Sequence, residues 1–269
     1  MNPLTLTLLQ ANLTWEDKTA NLAYLEQKIN SIAENTEVII LPEMFSTGFS
    51  MNPGPLAETM DGPTVQWLQR VAAAKQAIVT GSIIIYDSSL PEGTGWVNRL
   101  IWMLPNGQYG YYDKRHLFAY AGEDQQYTAG KKRLIASVNG WKINLQICYD
   151  LRFPIWARQT ATSQNREPEY DVLINVANWP KARMLAWTTL LQARAIENQC
   201  YVIGVNRVGQ DGNGILYDGN SMVIDPLGTV LYQKTDLEDS YTFTLQKEGL
   251  QEIRGRFPFL KDADSFGIL

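Results

Sequence analysis

The 269-residue chain has a single histidine, His116, and two cysteines, Cys148 and Cys200. A zinc site built from imidazoles and thiolates is therefore not expected, and neither is a disulfide framework. Positive charge is also sparse: 23 Lys and Arg stand against 28 Asp and Glu, and no basic run exceeds Lys131-Lys132-Arg133. That balance argues against a nucleic-acid partner and against docking on an anionic membrane. No apolar run approaches the roughly 20 residues that span a bilayer. Met1-Asn2-Pro3-Leu4 carries no basic n-region, and no Ala-x-Ala-like site follows it, so no signal peptide is expected. A soluble cytoplasmic protein with reduced thiols is the expectation. A Gly-x-Ser-x-Gly elbow is missing, which disfavours an α/β-hydrolase.

What is present is a large apolar fraction, 45% of residues, enough for a sizeable core. Leu4 to Leu9 alternates with threonines as a strand does. Leu22, Leu25, Ile29 and Ile32 recur at helical spacing within Asp17 to Ala33. Val38-Ile39-Ile40-Leu41 is a short, fully apolar strand of the kind buried on both faces. A helix is predicted from Pro63 to Gln76, and strands over 78–86, 96–104 and 109–113. Arg115 to Lys132 has no clear period and reads as a long loop over a site. Further on, helices are predicted from Phe153 to about Ser163 and from Arg183 to Gln199. Strands are predicted over 171–176 and 201–208, and three short strands between Tyr217 and Thr244. A last helix, Leu245 to Arg254, precedes an extended tail. Early alternation of strands and helices, with hairpins between, predicts an α/β fold of two sheets with helices outside. Nothing marks a linker or a repeat, so residues 1–269 read as one domain.

The chain is organised around Trp141 to Pro154. Ile143, Leu145 and Ile147 alternate with Lys142, Asn144 and Gln146 as a buried strand, and Pro154 suits the first turn of a helix. Cys148 thus sits where a strand ends and a turn begins. Two other polar residues occupy comparable places: Glu43 follows Val38 to Pro42, and Lys114 follows Tyr109 to Asp113. Ligands bind outside the C-terminal ends of strands that run the same way. An acid, an amine and a thiol on one rim suit acyl transfer. The carboxylate takes the thiol proton, the ammonium stabilises the oxyanion, and the thiol holds the acyl group. Beside Lys114 and a turn N–H, the thiol pKa is expected to fall below about 8.5. Cys200, with nothing ionisable beside it in sequence, reads as a small buried apolar residue. Arg194 and Glu197, three apart, read as a supporting pair on one helix face.

Leu41-Pro42-Glu43, Asp113-Lys-Arg-His-Leu-Phe118 and Cys148-Tyr-Asp-Leu-Arg-Phe-Pro154 resemble the Glu-Lys-Cys motifs of the nitrilase superfamily, the carbon–nitrogen hydrolases. The resemblance continues through Asn175-Val-Ala-Asn-Trp-Pro180, Leu191 to Asn198, Val205-Asn-Arg-Val-Gly209 and Asp225-Pro-Leu-Gly228. Within that family the chain looks most like the omega-amidase branch, through Asn178-Trp179-Pro180, Val205 to Gly214 and Arg256 to Asp264. The resemblance implies a four-layer α-β-β-α sandwich, commonly paired into a homodimer or a higher homo-oligomer. It implies a small-molecule amide substrate, best a 2-oxo dicarboxylic acid monoamide, a Cys148 thioester, and no metal or organic cofactor. It gives Glu123 the place of a second glutamate near the catalytic lysine. It leaves His116 outside the chemistry, because the family uses glutamate as base. The backbone N–H of Tyr149 is the expected partner of Lys114 in holding the oxyanion. Trp179, Arg183 and Arg207 are candidates for the far end of the substrate, since a carboxylate there needs a cation such as the arginine fork. The alternatives are another carbon–nitrogen hydrolase (a general aliphatic amidase, an N-carbamoylase or a nitrilase) or a non-catalytic binding protein on the same fold.

Overall fold

The computed structural model describes residues 2–90, 93–159, 168–264, 266 and 267. Its strands form where β-branched and leucine residues cluster, and they collect into two sheets. The first holds β1 (Leu4–Gln10), β2 (Val38–Ile40), β3 (Ile78–Tyr86), β4 (Trp96–Met103), β5 (Tyr109–Asp113) and β13 (Asp239–Leu245), in the order β13-β1-β2-β3-β4-β5. The second holds β6 (Ile135–Val138), β7 (Trp141–Ile147), β8 (Val172–Val176), β9 (Tyr201–Val205), β10 (Val208–Gln210) and β11 (Leu216–Ile224), in the order β10-β11-β9-β8-β7-β6. Strand β12 (Val230–Thr235) pairs with β11. The centres of both sheets are parallel: β1, β2 and β3 in one, β7, β8 and β9 in the other. Strand β5 reverses twice through β4, so it runs in the sense of β2 and β3.

One buried cluster joins the inner faces: Leu4, Leu6, Leu8, Val38 and Ile40 from the first sheet meet Ile143, Leu145, Ile147, Val172 and Ile174 from the second. A separate cluster seals the outer face of the first sheet. There Ile39, Leu41 and Val79 pack with Leu25 and Ile29 of α1 (Lys18–Asn30) and with Val65, Leu68 and Val71 of α3 (Pro63–Lys75). Helix α1 starts where Asp17 accepts the N–H of Ala20, and α3 starts on Pro63, which lacks a donor that the first turn would waste. Helix α6 (Met184–Asn198) covers the second sheet, burying Trp187, Leu191 and Ala195, and α7 (Lys247–Arg256) follows β13. These are the four layers that the motifs implied. No helix among the described residues is long and apolar enough to cross a membrane.

Three expectations need correction. The helix foreseen from Phe153 to about Ser163 is a single turn, α5 (Pro154–Ala157), because Arg158 adopts an extended backbone. Residues 160–163 lie outside the described residues. The strand foreseen over 201–208 breaks after Val205, where the Asn206 side chain bonds the backbone of Trp179 and Gly219. The tail does not extend at once: α7 runs to Arg256, and a helical turn spans Phe259–Asp262. Within the long loop, a turn over Ala119–Ala121 precedes α4 (Glu123–Gln126). A further short helix, α2 (Pro53–Leu56), precedes α3.

Candidate active site

Glu43 stands just past the end of β2, where Met44 turns through a positive φ and donates its N–H to Ser82. Its carboxylate is fully buried and every contact is specific. Oε1 accepts from Asn98 Nδ2 at 2.8 Å and from Lys114 Nζ at 2.9 Å. Oε2 accepts from the backbone N–H of Asn178 at 2.8 Å. Lys114 follows β5 directly, and its carbonyl accepts from Gly130 N at 2.8 Å. Gly130 has to be glycine: a Cβ there would lie 2.0 Å from the carbonyl oxygen of Asp113. The same Nζ donates to both oxygens of Glu123, at 3.0 and 2.9 Å. Glu123 opens α4, and its Oε2 also accepts the N–H of Phe118 at 2.6 Å. The long loop therefore folds a second carboxylate down onto the lysine.

Cys148 begins a tight helical turn, Cys148–Arg152, with φ at 44°. That left-handed value is costly for a side chain with a Cβ and sharpens the corner from β7. The first N–H groups of such a turn have no carbonyl within it to bond, so that of Tyr149 suits an oxyanion. Asp150, buried in the same turn, ties it to the segment carrying Lys114. It accepts from Tyr112 OH at 2.6 Å, His116 N at 2.9 Å and Ile147 N at 3.1 Å. His116 Nδ1 lies 2.8 Å from Asp150, and its ring stacks on Phe153 at 3.8 Å. The lone imidazole thus braces the turn through Asp150 and Phe153.

Electrostatics correct one expectation. Burial, and next the Glu43 carboxylate, raise the Cys148 pKa well above the ordinary thiol value, and Lys114 only partly opposes them. The lysine is a poorer activator than its proximity suggests, because Glu123 and Glu43 already hold its charge. Burial alone would lower its pKa, but the two carboxylates raise it. Burial also raises Glu123, against the pull of Lys114. The resting thiol keeps its proton until a base takes it.

Cys148 opens into a cavity of about 330 Å³ whose lining includes Phe49, Met51, Phe118, Tyr149, Arg152, Asn178, Trp179, Arg183 and Tyr217. The structure thus brings Tyr149, Trp179 and Arg183 together. It does not bring Arg207 to the cavity lining. That guanidinium is buried behind the Tyr217 ring, 4.8 Å from its centre, and donates to Leu13 O at 2.8 Å. Cys200 is buried at the opposite end of the second sheet, its pKa pushed up to about 12 by burial. Arg194 pairs with Glu197 at 2.9 Å and holds Leu151 O at 2.6 Å, a support beneath the Cys148 turn. Among the described residues no cluster of three or more His, Cys, Asp or Glu has metal-ligand geometry.

The carbon-nitrogen hydrolase family model matches residues 5–254. The chain belongs to the carbon–nitrogen hydrolase family. The omega-amidase YafV of Yersinia enterocolitica is 44% identical over 272 residues, with 100% of both chains covered. A 2-oxoglutaramate amidase of Bacillus subtilis is 31% identical over 262 residues, with 96% of each covered. A carbon–nitrogen hydrolase superfamily structure from Xanthomonas campestris superposes with a TM-score of 0.94 at 43% identity, over 100% of both chains. The chain is an amidase of the omega-amidase branch.

Two features of this amidase went unread in the sequence. Arg152 lines the cavity with its guanidinium 5.0 Å from the Trp179 ring, as Arg183 does 5.0 Å from the Phe118 ring. Its place four residues past Cys148, at the end of one tight turn, was the available signal. Asn178 is the other. It wraps Glu43, adding an Nδ2 bond to Glu43 O at 2.6 Å to the backbone bond already described. No local pattern signals that contact, because its partner is 135 residues away.

Proposed function

We propose that this amidase releases ammonia from the terminal amide of 2-oxo dicarboxylic acid monoamides, with 2-oxoglutaramate and 2-oxosuccinamate as substrates. The observation that carries the reading is the pair Arg152 and Arg183. Both line the cavity that holds Cys148, and neither makes an ion pair with a described residue. Two guanidiniums beside a nucleophile fit a substrate with a carboxylate at its far end. The relative named 2-oxoglutaramate amidase supports the same substrate class.

In this reading Glu43 takes the Cys148 proton as sulfur bonds the amide carbon. Lys114 and the Tyr149 N–H receive the negative charge that moves onto oxygen; each such donor is typically worth about 3 kcal/mol. Glu43 passes its proton to nitrogen as the C–N bond breaks, and ammonia leaves a thioester. Glu43 then deprotonates water, whose oxygen bonds the carbonyl carbon. The C–S bond breaks, the thiol regains a proton, and the acid departs. Glu123 keeps Lys114 aimed throughout, and Trp179 walls the cavity.

The test compares kcat/KM for 2-oxoglutaramate, 2-oxosuccinamate, butyramide and a short aliphatic nitrile. Butyramide should be at least tenfold poorer, about 1.4 kcal/mol of transition-state stabilisation, since it leaves the guanidiniums unpaired. Arg183→Ala and Arg152→Ala should raise KM for the oxo acid amides and leave butyramide unmoved. Equal values for butyramide would leave a general aliphatic amidase, and preference for the nitrile would move the chain to another branch.

A further inference from the structure

The carboxamide of Asn178 has one end satisfied and one end open. Its Nδ2 donates to the backbone carbonyl of Glu43 at 2.6 Å. A carbonyl only accepts, so this contact fixes which way the amide is turned: the nitrogen faces Glu43, and Oδ1 faces away. That Oδ1 is buried and accepts no hydrogen bond from any described residue. Asn178 itself is 3% exposed and lines the cavity that Cys148 opens into. A buried acceptor without a donor costs about 1–3 kcal/mol, so an unmatched oxygen beside a reaction centre points to a donor that arrives with the substrate.

The layout around Glu43 says which donor. On its Oε1 side stands Lys114, a group that only donates. On its Oε2 side stands Asn178, whose remaining group only accepts. A primary amide has the matching pair, a carbonyl oxygen that accepts and an NH2 that donates. We infer that Asn178 Oδ1 receives an N–H of the scissile amide and so selects amides over esters of the same acyl group. With the oxygen drawn toward Lys114 and the nitrogen held by Asn178, the nitrogen lone pair is turned toward the proton on Glu43. The C–N bond then breaks as nitrogen takes that proton and leaves as ammonia. An ester puts an oxygen with two lone pairs where the N–H should be, and Oδ1 repels it. The inference rests on the amidase reading of the site and not on the identity of the distal group.

The experiment uses two substrate pairs: 2-oxoglutaramate with the 5-methyl ester of 2-oxoglutarate, and butyramide with methyl butyrate. Within each pair both members form the same thioester on Cys148, so the ratio of their kcat/KM values reports acylation alone. In Asn178→Ala the amide-to-ester ratio should fall about tenfold or more, the effect of one lost hydrogen bond. Equal falls for amide and ester would mean that Asn178 only supports Glu43, and would overturn the inference. No change in either would do the same. Asn178→Asp keeps an acceptor oxygen while losing the Nδ2 donor. Its ratio should stay nearer wild type even where both rates drop, and a ratio as low as that of the alanine variant would count against Oδ1. If wild type hydrolyses butyramide but not 2-oxoglutaramate, the proposed substrate is wrong and the butyramide pair still decides the role of Asn178.

Discussion

The two cysteines occupy opposite ends of the same sheet. Cys148 follows β7, and Cys200 immediately precedes β9, in a run of parallel strands. Both are buried, and burial is the largest force raising the pKa of each. Their surroundings differ. Around Cys148 stand Glu43, Lys114 and Glu123, joined by contacts of 2.9–3.0 Å, and a cavity. Among the described residues the Cys200 thiol hydrogen-bonds the carbonyl oxygen of Arg194 at 3.9 Å, and the charges of Arg254, Glu197 and Asp171 act on it without a hydrogen bond. Neither depth nor thiol pKa separates the proposed nucleophile from a packing residue here. What separates them is a carboxylate, that of Glu43, hydrogen-bonded to the thiol and a cavity beside it, both found at the C-terminal edge of the strands.

The sharpest way to break that comparison is to exchange the fates of the two thiols. Cys148→Ala should abolish amide turnover, and Cys200→Ala should leave it near wild type. An acyl adduct trapped by mass spectrometry on any other residue would sink the assignment. Next come the charged partners. Lys114→Arg keeps the charge but not the compact ammonium, and Glu43→Gln removes the base. Each should lower kcat by a hundredfold or more, roughly the range for a lost oxyanion donor or general base. Turnover close to wild type in either would refute the triad.

A third variant probes the tie between the Cys148 turn and the segment that carries Lys114. Asp150→Asn removes a carboxylate that accepts from Tyr112, His116 and Ile147, and it turns an NH2 toward groups that already donate. We expect a loss of about 3 kcal/mol in urea unfolding, together with a fall in kcat as Lys114 loosens against Cys148. Unchanged stability would show that the bridge is incidental. The smallest effect belongs to Cys200. Its thiol ionises near an ordinary 9.0 when unfolded and near about 12 when folded. Above pH 9 the unfolded chain releases a proton that the folded chain keeps, so stability falls as pH rises through this window. Relative to Cys200→Ala, wild type should lose about 2 kcal/mol between pH 8 and pH 10.5. A constant difference across that range would show that the thiol titrates normally.

The strand-end positions of Glu43, Lys114 and Cys148 were legible because each follows an apolar run whose length and flanks identify a strand. Glu123 was legible only by resemblance, since nothing in Ala121-Gly-Glu-Asp124 tells which acid turns inward. The burial of Arg207 away from the cavity lining is not legible, because its neighbours in the chain do not reveal that Tyr217 and Leu13 close over it. The raised thiol was misjudged for a related reason. Sequence showed a cation nearby, whereas the structure shows that two carboxylates share it. The early stop of α5 depends on the extended backbone at Arg158, which no periodicity reports.

One consequence of the burial follows for ionic strength. The side chains of Glu43, Lys114 and Glu123 are 0% exposed, so dissolved ions cannot come between them. Arg152 and Arg183 are partly exposed at the cavity wall, within reach of an ion atmosphere whose screening length is about 8 Å at physiological salt. Added sodium chloride should therefore raise KM for an anionic amide while kcat stays flat. Such an enzyme takes up charged substrate less readily as its medium grows saltier, yet turns over what it has bound at an unchanged pace.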